Sequence, residues 1–319
     1  MRDLRIVYMG TPDFAVLPLK KLIETGHQVV GVVTNPDKPA GRGQKLQESA
    51  VKKFALSQGI PVLQPERFRD EIFLNALREW NADLQLVVAF KMLPEVVWNM
   101  PPLGTVNLHA SLLPDYRGAA PINWAVMNGE SYSGVSTFLL KHEIDTGNVI
   151  FQERVIIPKT MTAGELHDQL MVVGADLLVK TVDAIALGDY PLLEQDTLLQ
   201  GRNPKHAPKI FKEDMKIDWT KGVDVVYNHI RGLAPFPAAW MELFHREKGE
   251  YVTLKIFRAD RKDVVDRTGV KLITDGKTTF NVLVDGGEII IRELQLSGKK
   301  RMTTEEFLRG FRLMEYSLC

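Results

Sequence analysis

Three short apolar runs dominate the first third of the chain: LRIVYMG at 4–10, HQVVGVVT at 27–34 and ADLQLVVAF at 82–90. Each is rich in β-branched residues and too short for a buried helix, so each predicts a strand covered on both faces. Further strands are expected at 61–64, 104–110 and 134–140. The stretches between them carry helical spacing. One helix is expected from 11 to about 26, with Thr11 as its N-cap and Pro12 at its first helical position. Others are expected at 48–58, 71–80, 120–129 and 164–188, the last long and amphipathic. Residues 35–49, NPDKPAGRGQKLQES, are polar and hold two Pro and two Gly, and read as a flexible loop. Strands alternating with helices define an α/β unit with a Rossmann-like, mostly parallel sheet.

The texture changes near residue 189. DYPLLEQDTLLQGRNPKHAPK is a polar connector. Beyond it one helix is expected near 221–232. The short segments AAWMELF, YVTLKIFRA, VKLITD, TTFNVLV and GEIIIRELQL follow, separated by DRTG, DGK and DGG turns. Several short strands so punctuated predict a small OB-like β-barrel. A chain of 319 residues suits two such domains, which we place at 1–189 and 207–319 with a linker at 190–206.

Composition narrows the class. Hydrophobic residues are 45% and charged residues 25% of the chain, as in ordinary globular proteins. The only cysteine is Cys319, which leaves no disulfide framework and no cysteine-based metal site. MRDLRIVYMG lacks the apolar stretch and cleavage site of a signal peptide, and no apolar run reaches 18 residues. A cytoplasmic chain without a membrane span is expected. The zero net charge conceals an asymmetry, because residues 205–319 hold 21 Lys+Arg against 17 Asp+Glu. A mildly basic C-terminal part is compatible with a polyanionic partner.

The first strand ends in MGTPDF, without the glycines a dinucleotide pyrophosphate requires, and no phosphate-loop motif occurs. The candidate chemistry lies in NLHASLLPDYRGAAP, 107–121. Asn107 and His109 stand two apart on a predicted strand, so they share a face near its carboxyl end, where ligands of such sheets bind. HEIDTGNVI, 142–150, places Asp145 in a turn just after the next strand. Strand ends meeting in one sheet would bring Asp145 to His109. An imidazole can exchange a proton near neutral pH, a carboxylate can orient it, and an uncharged amide can hold a developing oxyanion. With no Ser or Cys nucleophile among them, the three suit acyl transfer to an amine brought by the substrate. A structural Asn–His pair is the competing reading. The other histidines are scattered and His109 has no second histidine at ligand spacing, so no metal site is expected.

NLHASLLPDYRGAAPINWAVMNG and IDTGNVI resemble the paired signature of the folate-dependent formyltransferase superfamily. MGTPDFAVLPLKKL, VVTNPDKPAGRGQKL, IRGLAPFPAAW and GKKRMTTEEFLRG resemble the branch of it that formylates methionyl-tRNA, so the resemblance covers nearly the whole chain. It implies 10-formyltetrahydrofolate as cosubstrate, methionyl-initiator tRNA as acceptor, and Asn107, His109 and Asp145 as catalytic residues. It also implies Ser111, Leu112, Leu113 and Pro114 as the folate-binding turn, and Lys38, Arg42 and Lys45 as tRNA contacts. No metal, no membrane and a monomer are expected. Several positions depart from the family pattern: Lys91 after the strand at 82–90, Lys141 and Glu143 before Asp145, and Asn148 after Gly147. A nucleotide-linked amino sugar as acceptor, or a non-catalytic tRNA-binding module, are the rival readings. The cationic GRG loop argues against the first and retention of the catalytic trio against the second.

Overall fold

The first apolar run becomes β1 (Arg5–Gly10), in which every residue but the first is buried. In the computed structural model, described for residues 2–40, 45–264 and 269–319, β1 is central to a seven-stranded sheet. Its other strands and neighbouring segments follow in chain order. α1 (Val16–Glu24) leads to β2 (Gln28–Val33), then the short β3 (Lys38–Ala40) and β4 (Lys45–Gln47), α2 (Ala50–Ser57) and β5 (Val62–Leu63). α3 (Glu71–Glu79), β6 (Leu84–Val88), α4 (Glu95–Trp98), β7 (Thr105–His109) and β8 (Arg117–Gly118) follow. α5 (Pro121–Met127), β9 (Tyr132–Leu139), β10 (Val149–Ile156), α6 (Ala163–Leu187), α7 (Gln195–Leu199) and β11 (His206–Ala207) complete the series.

The sheet order is β10-β9-β7-β6-β1-β2-β5. β1 pairs in parallel with β2 and β6, β2 with β5, and β6 with β7. β9 is registered antiparallel to its neighbour β7, with Asn107 opposite Phe138 and His109 opposite Ser136. β10 was not among the expected strands. One cluster in this unit packs Val7, Met9, Val33, Phe73, Leu77, Val87 and Val97 together. Burying side chains of that size contributes about 1.5–3 kcal/mol each.

Local signals were kept in part. Ser49 and Asp70 cap α2 and α3 by accepting from Lys52 N and Ile72 N, each worth about 1 kcal/mol. Thr11 does not cap α1. A 3₁₀ turn at Asp13–Ala15 intervenes, capped at Pro12 without a side-chain bond. The Thr11 hydroxyl instead reaches Asn35 N and Thr34 Oγ1, both at 3.4 Å. In the described part of 35–49 two short strands stand where a flexible loop was expected. β3 and β4 pair antiparallel, with Lys38 opposite Gln47 and Ala40 opposite Lys45.

After β11 come α8 (Val223–Leu233), β12 (Ala239–His245), β13 (Tyr251–Asp263), β14 (Lys271–Thr274), β15 (Phe280–Val284) and β16 (Gly287–Leu296). β17 (Met302–Thr303), α9 (Thr304–Leu308) and β18 (Tyr316–Leu318) close the chain's structure. Their sheet runs β14-β15-β16-β13-β12-β18, antiparallel throughout. Its terminal strands β14 and β18 approach one another, so the sheet is barrel-like. β12 buries every second residue, as a strand with one face on a core must. That core gathers Val226, Ile230, Met241, Leu254, Phe280, Ile289 and Phe307.

The chain divides into two compact units: Met1–Gly118, Ser133–Val155 and His167–His206 in the first, and Ala119–Tyr132, Ile156–Leu166 and Ala207–Cys319 in the second.

Candidate active site

β7 is buried at four of its five positions, and the exception is Asn107. Period-two alternation puts Asn107 and His109 on one face. The Asn107 carboxamide is half-buried, and no hydrogen bond holds it among the described residues. His109 is 7% exposed. Its Nε2 lies 2.9 Å from the Tyr116 carbonyl oxygen. A carbonyl only accepts, so Nε2 carries a proton and Nδ1 is the nitrogen left to exchange one. The Phe138 ring meets the imidazole in a T-shaped contact, with centroids 6.5 Å apart.

Asp145 Oδ2 stands 4.0 Å from His109 Nδ1, and both side chains are largely buried. That distance is beyond a hydrogen bond but within the range of an orienting charge. The approach is not the meeting of strand ends that the sequence suggested. Because β9 is antiparallel to β7, its last residue, Leu139, lies opposite Val106 and not opposite His109. The 140–148 loop must carry Asp145 back to the histidine. It does so with Asp145 itself in left-handed backbone, φ +55°, a conformation that a non-glycine residue holds only when its surroundings impose it.

The surroundings are specific. Gly118 N donates to Asp145 Oδ2 at 2.9 Å, and Gly118 has φ +125°, accessible essentially to glycine. Gln195 Nε2 donates to the backbone oxygens of Asp145 at 2.7 Å and Gly147 at 2.8 Å. Gln195 Oε1 accepts from Arg117 Nε at 2.9 Å. Gly147 is required sterically, since a Cβ there would sit 1.6 Å from the Leu139 carbonyl oxygen. Two departures from the family pattern meet in this loop, where Lys141 Nζ donates to Asn148 Oδ1 at 2.7 Å.

The SLLP turn follows β7 directly. Ser111 is fully buried and its hydroxyl donates to the Asp115 carbonyl at 2.6 Å. Ser136 Oγ, on β9, accepts from Leu113 N at 3.0 Å and donates to Ser111 O at 2.6 Å. Gln152 Nε2, on β10, donates to Leu113 O and Ser136 Oγ, both at 2.8 Å. The Ser111 hydroxyl and carbonyl and both backbone groups of Leu113 are thus bonded internally, and of the two remaining turn residues Leu112 is partly exposed while Pro114 is buried. Asp115 ends the turn, accepting from Arg202 at 2.7 Å and Lys205 N at 3.0 Å. Burial works to raise its carboxyl, and the bonds from Arg202 and Lys205 outweigh it and hold the group below the usual carboxylate range.

The expected cations are elsewhere on the chain. Lys38 lies on β3, and no hydrogen bond or ion pair joins it to the trio among the described residues. Lys45 lies on β4. Arg42 falls outside the described residues. The base of the hairpin is fastened by Asp37, which accepts from Lys52 Nζ at 2.5 Å and Gln64 Nε2 at 2.8 Å. Those bonds, Lys52's first, hold the Asp37 carboxyl below its ordinary range. Among the described residues no group of His, Cys, Asp and Glu could hold a metal ion, and no helix is long and apolar enough to cross a membrane.

Sequence reasoning missed Gln195, Gln152, Ser136 and Tyr116. Ser136 carried a faint signal as a hydroxyl inside a strand that is otherwise apolar on that side. Gln195 carried none, standing in a connector rich in polar residues.

An amide, an imidazole and a carboxylate near one end of a mostly parallel sheet are groups suited to acyl-group transfer. Residues 4–182 match the family model described as formyl transferase, and residues 209–312 match that of the formyl transferase C-terminal domain. The chain belongs to the formyl transferase family. It is 57% identical over 316 residues to the methionyl-tRNA formyltransferase of Bacteroides thetaiotaomicron, covering 98% of this chain and 97% of that one. It is 53% identical to the protein of the same name from Parabacteroides distasonis, over 99% and 98% of the two chains. Among solved structures, a sugar 3N-formyl transferase crystallised with dTDP and 5-N-formyl-THF superposes with a TM-score of 0.65 at 20% identity, covering 94% of this chain and all of that one. At that identity the likeness concerns the fold.

Proposed function

We propose that this protein transfers the formyl group of 10-formyltetrahydrofolate to the α-amino group of methionyl-tRNA, forming the formylated initiator of translation. The observation that carries the reading is the convergence of Asn107, His109 and Asp145 at one strand end, in a chain more than half identical along its length to methionyl-tRNA formyltransferases.

The amine nitrogen attacks the formyl carbon and the new C–N bond forms. The carbonyl electron pair moves onto oxygen, which the Asn107 amide and protonated His109 stabilise. Collapse expels the folate nitrogen, which takes a proton, while the amine loses one. His109 exchanges that proton through Nδ1, and Asp145 holds the ring's orientation and balances its charge. An α-amine has a pKa of about 7.7–8.0 and is partly neutral near pH 7, so positioning contributes a large share of the rate. Leu112, on a turn anchored through Ser111 and Leu113 and closed by the buried Pro114, offers the apolar wall for the flat pterin. Lys38, Arg42 and Lys45 contact tRNA phosphates. The protein acts as a monomer in the cytoplasm.

The rival acceptor, a nucleotide-linked amino sugar, is supported only by fold likeness at about 20% identity. One assay separates the readings. Purified protein and labelled 10-formyltetrahydrofolate are offered charged initiator tRNA in one reaction and an amino-sugar nucleotide in another. Label on methionyl-tRNA alone is expected. Label on the sugar, or release of formate in both reactions, overturns the assignment of the acceptor.

A further inference from the structure

We infer that Gln195 is a positioning residue for the reaction, holding Asp145 in its working place from outside the sheet. The inference rests on the catalytic reading of Asp145 given above. Gln195 opens α7 in the polar connector, yet it is only 3% exposed. Among the described residues, its side-chain bonds go to the two blocks that make the site. Its amide nitrogen donates to the Asp145 and Gly147 carbonyls, and its oxygen accepts from Arg117 of the block that carries His109.

The loop between β9 and β10 leaves the sheet at the wrong end of β7 to reach His109. It returns through a left-handed Asp145. Aspartate enters left-handed backbone more readily than most residues, yet φ +55° still lies outside its ordinary regions, so contacts from elsewhere are what hold it there. The two bonds from Gln195 grip the loop on either side of Thr146, at the Asp145–Thr146 and Gly147–Asn148 peptides. Gly118 N holds the carboxylate end. Gln195 therefore acts on catalysis through the backbone of Asp145. A buried glutamine whose two donors and acceptor are so arranged has one orientation that satisfies them all, which suits a group that must set geometry to within a fraction of an ångström.

The test is a double-mutant cycle. Gln195→Ala is expected to lower kcat for methionyl-tRNA formylation about tenfold to a hundredfold, the range reached when a reacting group is misplaced by about 1 Å. KM for both substrates should stay within about twofold. Gln195→Glu keeps the shape but points carboxylate oxygens at two carbonyls, and should lose at least as much. The decisive measurement is Gln195→Ala in an Asp145→Asn background, where it should cost nothing further. The pH profile of kcat should change in Gln195→Ala in the same sense as in Asp145→Asn. Folate binding, followed by fluorescence, reports that each variant is folded. An equal loss in both backgrounds, or kcat within twofold of the parent for Gln195→Ala, overturns the proposal while leaving Asp145 catalytic. An Asp145→Asn variant with full activity overturns the catalytic reading and this proposal with it.

Discussion

At the scale of single residues the site is a contrast between held and unheld groups. His109 is fixed at Nε2 by a carbonyl and left open at Nδ1, while the Asn107 amide has no partner among the described residues. His109→Ala should therefore reduce formyl transfer by about two decades or more, since a positioned acid–base group contributes ~10²–10⁴-fold. Single-turnover transfer checks this, and activity within a few fold of the parent would exclude the mechanism. Gly147→Ala makes a different claim. Its new methyl would collide with the Leu139 carbonyl, so the loop must shift. We expect a lower melting temperature together with loss of transfer, measured on one preparation. The pairing of Asn107 with His109 was legible because strand alternation by itself fixes their shared face. Gln195 was not, because its role depends on a contact 50 residues away in sequence, and polarity in a connector is what any solvated segment shows.

Among the elements, the strands were readable from apolar runs that had to be buried on both sides. The mostly parallel direction followed from strand–helix alternation, but the reversal at β9 did not. Nothing in GVSTFLL distinguishes an antiparallel β9 from another parallel strand, and β10 was hidden by the charged, exposed Glu153 and Arg154 in VIFQERVI. Thr11 misled for a related reason: its hydroxyl has a competing donor in Asn35, brought near by a neighbouring strand. Lys38 and Lys45, two of the proposed tRNA cations, lie on β3 and β4; Arg42, the third, lies outside the described residues, and Arg42→Ala should weaken transfer to methionyl-tRNA while folate affinity stays unchanged. An equal loss of folate affinity would place the loop in the pterin pocket. The clamp at the hairpin base has its own pH signature. The Asp37 carboxyl is depressed in the fold by Lys52 and Gln64. Its contribution to stability is therefore complete above the unfolded carboxylate pKa of about 3.9, and is lost as pH falls through the lower folded value. Thermal melts of the parent and Asp37→Asn should differ at about pH 6 and converge in acid. A difference that stays constant down to the acid limit would assign no ionised role to Asp37.

For the whole molecule, the two-part organisation was visible in the change from α/β alternation to short strands with Gly–Asp turns, and in the cationic excess after residue 205. The way the chain divides between the units was not visible. Residues 119–132 and 156–166 group with the C-terminal strands, and no composition shift marks either segment. If phosphates are met by lysines and arginines on a large acceptor, transfer should fall as salt rises, because each neutralised phosphate releases counterions. Measuring kcat/KM for methionyl-tRNA against ionic strength, with folate binding as the control, tests this. A flat response would exclude polyanion recognition as a main source of affinity.

The ties of residues 195–205 also bear on recombination between relatives. Gln195 grips the Asp145 loop, Arg202 and Lys205 N bind Asp115, and Tyr116 N donates to Lys205 O at 2.6 Å. A chimera joined at residue 189 would import a foreign strap onto the acid and the turn. A junction placed after His206 keeps donor and acceptor of every one of these bonds within one parent.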